Sequence, residues 1–256
     1  MTLSQEYLSA VSAMIIYGQD QKVTMFNYYY YSGSTLATYP PTGVTAILKN
    51  NGNIVATLPG YQMSLSINGV QFLFYDTSEN TYSFDEVDIY TEINGTLQYL
   101  VSRNTGLNYS KSASEAVIIY YTLELQSTPS VFINYAFLFL LVPKLSLQNI
   151  FPFTNYIGIT SFTVSGINGT VSLVGVGLIL NGFEIVINLT TTGNGIPTIS
   201  AQTTVELIQQ AVPGINKPII SIGTETVFSA TLNVQLPQTQ QPVTYPIVIG
   251  LTYEVT

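Results

Sequence analysis

The chain has 256 residues, 46% of them hydrophobic and only 8% charged, with a formal net charge of −8 and no His, Cys or Trp. Disorder, which needs low hydrophobicity and high charge, is excluded; so are disulfides, zinc–thiolate sites and His-based acid–base chemistry. The six cations, Lys22, Lys49, Arg103, Lys111, Lys144 and Lys217, are dispersed along the chain and make no phosphate-neutralising patch, so direct nucleic-acid binding is not expected.

From the N-terminus, Leu3 to Tyr17 is expected as a short amphipathic helix, with Leu3, Tyr7, Leu8, Val11, Met14 and Ile15 on one face. No basic residue precedes Lys22, so neither a secretory signal nor a membrane-surface helix is read there. Packing on its own chain or on a neighbouring subunit is the expectation. The run KVTMFNYYYY follows, and Tyr28, Tyr29, Tyr30 and Tyr31 would alternate between the two faces of a strand. Two outward rings would make a subunit or glycan contact; a sandwich strand with one exposed edge is the equal alternative.

Asn-Gly is the strongest short-range hairpin signal, because a type I′ turn needs positive φ at both central residues. Asn51-Gly52, Asn68-Gly69, Asn94-Gly95, Asn168-Gly169 and Asn181-Gly182 each join two strand-like runs, and a sixth, Asn194-Gly195, lies in a looser stretch. Between the second and third hairpins lie Asp76, Glu79, Asp85, Glu86, Asp88 and Glu92, with no Lys or Arg among them. Asp85, Glu86 and Asp88 are a candidate calcium site, since hard oxygen ligands suit that ion. The segment lacks the spacing of a known calcium loop, and a solvated acidic loop leading into a strand is the favoured reading. Changing all three to Asn is expected to leave folding largely intact.

Farther along, EAVIIYYTLEL reads as a strand, and Val131 to Val142 (VFINYAFLFLLV) as a buried central strand, too short to span a bilayer and stopped by Pro143. Fifteen of the 19 Tyr and all but four of the 14 acids lie before Ser130. With that shift and the irregular Pro143 to Thr154, a boundary is placed to give a domain at 1–145 carrying the helix and a second at 146–256; the alternative is one elaborated jelly roll over 1–256. The second half offers YIGITSFTV, KPIISIG, TVFSATLNVQL and TYPIVIGLTYEV as strands, and Thr203 to Gln210 as a possible short helix. Sequons at Asn94, Asn108, Asn168 and Asn188 are candidate glycosylation sites.

The fold expected is all-β: antiparallel β-sandwiches of jelly-roll type, in two domains, with a short N-terminal helix. Its acids are scattered and no Trp is present to stack a sugar, so no enzyme activity and no cofactor are expected.

In its low charge, its abundance of Tyr, Ser, Thr and Asn, its lack of Cys and its strand pattern, the chain resembles capsid, penton and turret proteins of icosahedral viruses of thermoacidophilic archaea. The resemblance spans the whole chain and is carried by no single motif. It implies a jelly-roll virion subunit, assembled in the host cytoplasm by side-to-side sandwich contacts into a closed homo-oligomer that meets other capsid proteins. It also implies a shell over an internal membrane layer or another protein layer. The competing class is a surface adhesin whose sandwich loops hold host glycans. Few titratable groups suit an acidic exterior, and an assembly of this chain is expected to persist down to about pH 3, where ordinary carboxylates protonate.

Overall fold

Period-two alternation of apolar and polar residues carries most of the chain into antiparallel strands. The computed structural model describes residues 2–8, 10–11, 24–25, 29–32, 35–38, 41–93, 95–126, 130–147, 149–151, 153, 155–179, 182–191, 195–209, 220–236 and 242–252. Among them the all-β antiparallel fold class is as read from the sequence. The chain divides into two compact units: Met1–Val11 with Asn27–Pro152 and Glu254–Thr256, and Ser12–Phe26 with Phe153–Tyr253, each taken over its described residues. The break in the main run falls after Pro152, within the proline-containing stretch, and residues near the N-terminus are shared between the units.

In the first unit, β1 (Thr2–Leu3), β5 (Pro41–Asn50), β6 (Asn53–Pro59), β9 (Tyr82–Ile93) and β10 (Thr96–Lys111) form a sheet in the order β1-β10-β9-β5-β6. A second sheet has the order β11-β8-β7, from β7 (Tyr61–Ser66), β8 (Gly69–Asp76) and β11 (Val117–Glu124). A separate hairpin pairs β3 (Tyr29–Ser32) with β4 (Thr35–Thr38). Three Asn-Gly signals mark real hairpins here: β5–β6, β7–β8 and β9–β10. At the first, Asn51 and Gly52 have φ of 49° and 80°, as a type I′ turn requires. The non-local step is β5 on β9, which brings Lys49 opposite Glu86 and Leu48 opposite Val87.

The first sheet buries Val44, Ala46, Leu48, Val87 and Ile89 on one face and Thr45, Ile47 and Asp88 on the other, and the second sheet buries one face through Val70, Phe72, Phe74, Tyr121 and Leu123. The two sheets meet beside Gly60, where a Cβ would lie 2.5 Å from Val44 Cγ2 and 2.7 Å from Phe74 Cε1. The Tyr121 and Ser102 side chains also approach each other across the two sheets.

The run from Val131 was expected as a strand, and it is a helix, Val131–Phe139. Ser130 caps it, its Oγ accepting the Ile133 N–H at 3.1 Å, and Pro143 bars continuation. The helix is buried nearly all round, which produces an unbroken apolar run rather than a period of 3.6 and made it look like a central strand. Its neighbours include the N-terminal turn, helical over residues 5–8 and 10–11, where Ser4 Oγ accepts the Tyr7 N–H at 3.1 Å and the Tyr7 hydroxyl donates to the Phe137 carbonyl. Tyr7, Leu8 and Val11 are buried as expected, whereas Leu3 belongs to a strand and residues 12–17 of the expected helix lie outside the described residues.

In the second unit, β2 (Thr24–Met25), β12 (Asn155–Ser165), β15 (Thr198–Gln209) and β16 (Ile220–Asn233) form a sheet in the order β16-β15-β12-β2. The other sheet, β13-β14-β17, comprises β13 (Gly169–Ile179), β14 (Gly182–Thr191) and β17 (Val243–Thr252). Asn181-Gly182 marks the β13–β14 hairpin. Asn168-Gly169 does not make one: β12 pairs with β15 and β2 while β13 pairs with β14, so residues 166–168 link two sheets, with Gly166 at φ 86°. Of the short helix expected at Thr203 to Gln210, Thr203 to Gln209 are instead the end of β15, in which Ile199, Ala201, Val205 and Leu207 are buried at odd positions, and Gln210 lies outside the described residues. Parts of two expected strands, Ile220 to Gly223 of KPIISIG and Thr226 to Asn233 of TVFSATLNVQL, merge into the single strand β16. Register shifts against β15 leave Ile222 and Val227 as extra, bulged residues.

Candidate functional site: a buried charge cluster and an exposed aromatic sheet face

Strand β9 carries the acidic segment, and its partners on either side supply the missing cations. Lys49 comes from β5 and Arg103 from β10, directly opposite Glu86 and Asp88 respectively. The Asp88 carboxylate is fully buried. It accepts Arg103 Nε at 2.7 Å on Oδ1 and Arg103 Nη2 at 2.9 Å on Oδ2, with Lys49 Nζ at 2.5 Å also on Oδ2. Glu86 Oε1 lies 2.9 Å from Lys49 Nζ and 3.3 Å from Arg103 Nε.

Burial alone would push the Asp88 carboxyl up, but the hydrogen bonds and charges of Arg103 and Lys49 outweigh it and hold the group below the ordinary carboxylate range. Burial would likewise lower Lys49, and its bonds to Asp88 and Glu86 raise it instead. The hydrogen bond to Asp88 raises Arg103. The four groups neutralise one another across three adjacent strands.

Of the expected acidic loop leading into a strand, Glu79 lies exposed in the turn before β9, whereas Asp85, Glu86 and Asp88 lie within that central strand. Asp85 stands apart from the other two and accepts the Asn51 N–H of the adjacent turn at 3.0 Å. Among the described residues, no three acidic side chains converge on a point where a metal ion would sit. Sequence reasoning missed Lys49 and Arg103 as partners because they lie 37 and 17 residues from Glu86, and no local pattern announces the β5–β9 pairing.

A second polar cluster closes the turn after β8. Lys111, buried, donates to the carbonyls of Ser78 and Asn80, the latter at 2.9 Å, and stands 5.8 Å from the Tyr82 ring centroid. The Tyr82 hydroxyl donates to Asp76 at 2.7 Å.

The outer face of the β11-β8-β7 sheet is different in kind. Because Val70, Phe72 and Phe74 point inward, Gln71, Leu73 and Tyr75 point outward, joined by Tyr61 from β7 and Ile118, Tyr120 and Thr122 from β11. Tyr61 and Tyr75 stack with ring centroids 5.2 Å apart. Ile118 is 58% exposed and Tyr120 64% exposed. No charged residue occurs from Tyr61 to Tyr75 or from Val117 to Leu123. Large contiguous apolar patches on a surface mark contact sites.

Tyr29, Tyr30 and Tyr31 lie in strand β3, and Tyr28 lies outside the described residues. Asn108 is exposed in β10 and Asn168 is exposed in the link after β12, whereas Asn188 is half-buried in the central strand β14. Asn94 lies outside the described residues. Among the described residues, no helix is long and apolar enough to cross a membrane.

The chain is 59% identical over 254 residues to uncharacterized protein ORF246 of Acidianus filamentous virus 2, covering 99% of this chain and 100% of that one. It belongs to the ORF246 family. Two more distant relatives share part of it: protein ORF286a of the same virus, 28% identical over 129 residues (48% of this chain, 44% of the relative), and protein 55 of Sulfolobus islandicus filamentous virus, 25% identical over 114 residues (36% and 35%). No family model and no solved structure matches the chain. The ORF246 family is thus one of viral proteins from filamentous viruses of thermoacidophilic archaea. The expected archaeal viral origin stands; the icosahedral shell does not, because the viruses are filamentous.

Proposed function

We propose that this member of the ORF246 family is a non-catalytic structural protein of a filamentous virion, assembling with copies of itself and with other virion proteins through its sheet surfaces. The observation that carries this reading is the outer face of β11-β8-β7, uncharged from Tyr61 to Tyr75 and from Val117 to Leu123, with Tyr61, Tyr75, Ile118 and Tyr120 held in solvent by a well-buried sheet. Aromatic and aliphatic side chains on a rigid strand bury area at low entropic cost, and no ion need be desolvated when such a face is covered. Four charged groups of the first unit, by contrast, are spent on one another: Lys49, Arg103, Glu86 and Asp88 form a mutually paired set. That leaves no poised acid or base in the cluster and supports a building role over catalysis.

The stacked Tyr61–Tyr75 pair favours a second reading, an adhesin that stacks a host sugar on those rings. Mass spectrometry of purified virions, with the intact infected-cell lysate as reference, separates the two. A structural subunit is enriched in virions and its purified form self-associates without sugar. Absence from virions, or a strict monomer whose binding to cell-surface glycans is lost in Tyr61→Ala, would overturn the structural reading.

A further inference from the structure

Exposed edge strands invite pairing with other chains, and proteins usually blunt them with bulges, prolines, charges or shortness. Most edges described here carry such a device. Strand β7 has a register shift at Met63, β6 one at Val55, β13 one at Val174, and β16 two. Strand β17 holds Pro246, opposite Asn188, and β1 and β2 are two residues long. Strand β11 carries none of these: it pairs with β8 in unbroken register over eight residues, without Pro, Gly or a charge before Glu124.

The ladder also shows which of its backbone groups are free to pair. The Leu125 N–H donates to the Asn68 carbonyl at 2.7 Å, one step beyond the Glu124–Gly69 pair. Since hydrogen-bonded residues alternate in an antiparallel pair, odd-numbered residues of β11 bond to β8, and Ile118, Tyr120 and Thr122 turn their N–H and C=O to the edge on which no described strand pairs. The side chains of the same three residues lie on the outer face.

We infer that β11 is a homotypic docking edge: two copies of this chain pair their β11 strands antiparallel about a twofold axis through Tyr120, joining two three-stranded sheets into one. The inference rests on the self-assembly reading above and names its surface. The occupant is a second copy because the strand is complementary to itself. With Tyr120 facing Tyr120, Ile118 faces Thr122, and outward residues meet outward residues, as a shared sheet face requires. The acids that flank the strand do not meet: Glu124 falls opposite Ala116, and Glu115 opposite Leu125. Isologous contacts of this kind are self-closing, giving a dimer rather than an open chain from this edge alone.

The test is analytical ultracentrifugation of the full chain with amide hydrogen exchange. Wild type should sediment as a dimer in which the amides of Ile118, Tyr120 and Thr122 are protected. Tyr120→Lys places like charges directly opposite each other, and Thr122→Pro removes an edge-facing N–H without touching the β8 ladder. Both variants should keep the wild-type far-UV circular dichroism, lose the dimer and lose that protection. A wild type that stays monomeric, or two folded variants that associate as wild type does, would overturn the pairing. Presence in virions is read separately: a virion protein whose association ignores both substitutions removes the β11 pairing alone, and a β11-dependent dimer absent from virions removes the virion reading alone.

Discussion

The Arg103 guanidinium grips the Asp88 carboxylate with two hydrogen bonds, 2.7 Å from Nε to Oδ1 and 2.9 Å from Nη2 to Oδ2, across neighbouring strands. Paired forks of this kind fix orientation as well as charge. The carboxylate is fully buried while the Arg103 side chain remains 46% exposed, so the pair is anchored at its acidic end. Lys49, on the strand at the other side of β9, completes the neutralisation. The register of three adjacent strands, β5, β9 and β10, is thereby tied at one point.

Removing the Asp88 charge should therefore cost stability, contrary to the expectation that the Asp85, Glu86 and Asp88 triple change is benign. Asp88→Asn leaves Lys49 and Arg103 with Glu86 alone. The cost should be roughly 3 kcal/mol, at the low end for breaking a buried ion pair because Glu86 still offers a partner. Asp85→Asn should cost far less, since it alters only contacts at an exposed turn. Urea unfolding of the two single variants checks both values; equal midpoints would refute the assignment.

Acid should act through the same carboxylate. Its ionised form is favoured in the folded state, so the stability it contributes is fully present above the unfolded-chain value of about 3.9 and is lost as pH falls through the lower folded value. Thermal melting of wild type should therefore change little from neutrality to about pH 5 on this account and decline below about pH 4. The Asp88→Asn variant should start lower and lose less on acidification. A parallel acid decline in the two proteins would show that Asp88 is not the group responsible.

Gly60→Ala probes the packing of the two sheets of the first unit. The new methyl would meet Val44 Cγ2, Phe74 Cε1 and the Val44 carbonyl oxygen, all within 2.9 Å. Overpacking of this sort costs roughly 1–3 kcal/mol. Gly43→Ala, with nothing within 4 Å of the added atom, is the control and should stay close to wild type. Differential scanning calorimetry on the pair gives the answer.

Ser130→Ala tests the helix that the sequence pattern read as a strand. Loss of the Oγ acceptor for the Ile133 N–H should destabilise by about 1 kcal/mol. Ser130→Asp should retain most of the cap. If Ala and Asp behave alike in chemical denaturation, capping is not what fixes the start of this helix.

Local chemistry was enough to recognise an antiparallel all-β chain, because hairpins are short-range objects. Asn51-Gly52 supplies both positive φ values a tight turn needs, and alternation such as Val70, Phe72 and Phe74 against Gln71, Leu73 and Tyr75 declares two faces within one strand. The same local signals fail where the outcome depends on what lies on the other side. Asn168-Gly169 resembles the true hairpins, yet its flanking strands join different sheets. The run from Val131 is apolar at nearly every position because it is enclosed on all sides, and that erases the periodicity separating helix from strand. The exposed tyrosine and isoleucine positions of β11 were visible only as a strand, since which edge is open depends on sheet order. The acids of β9 looked unpaired because charges act through space: Lys49 and Arg103 reach Asp88 only once β5 and β10 have closed on either side of it, and no pattern along the chain encodes that closure.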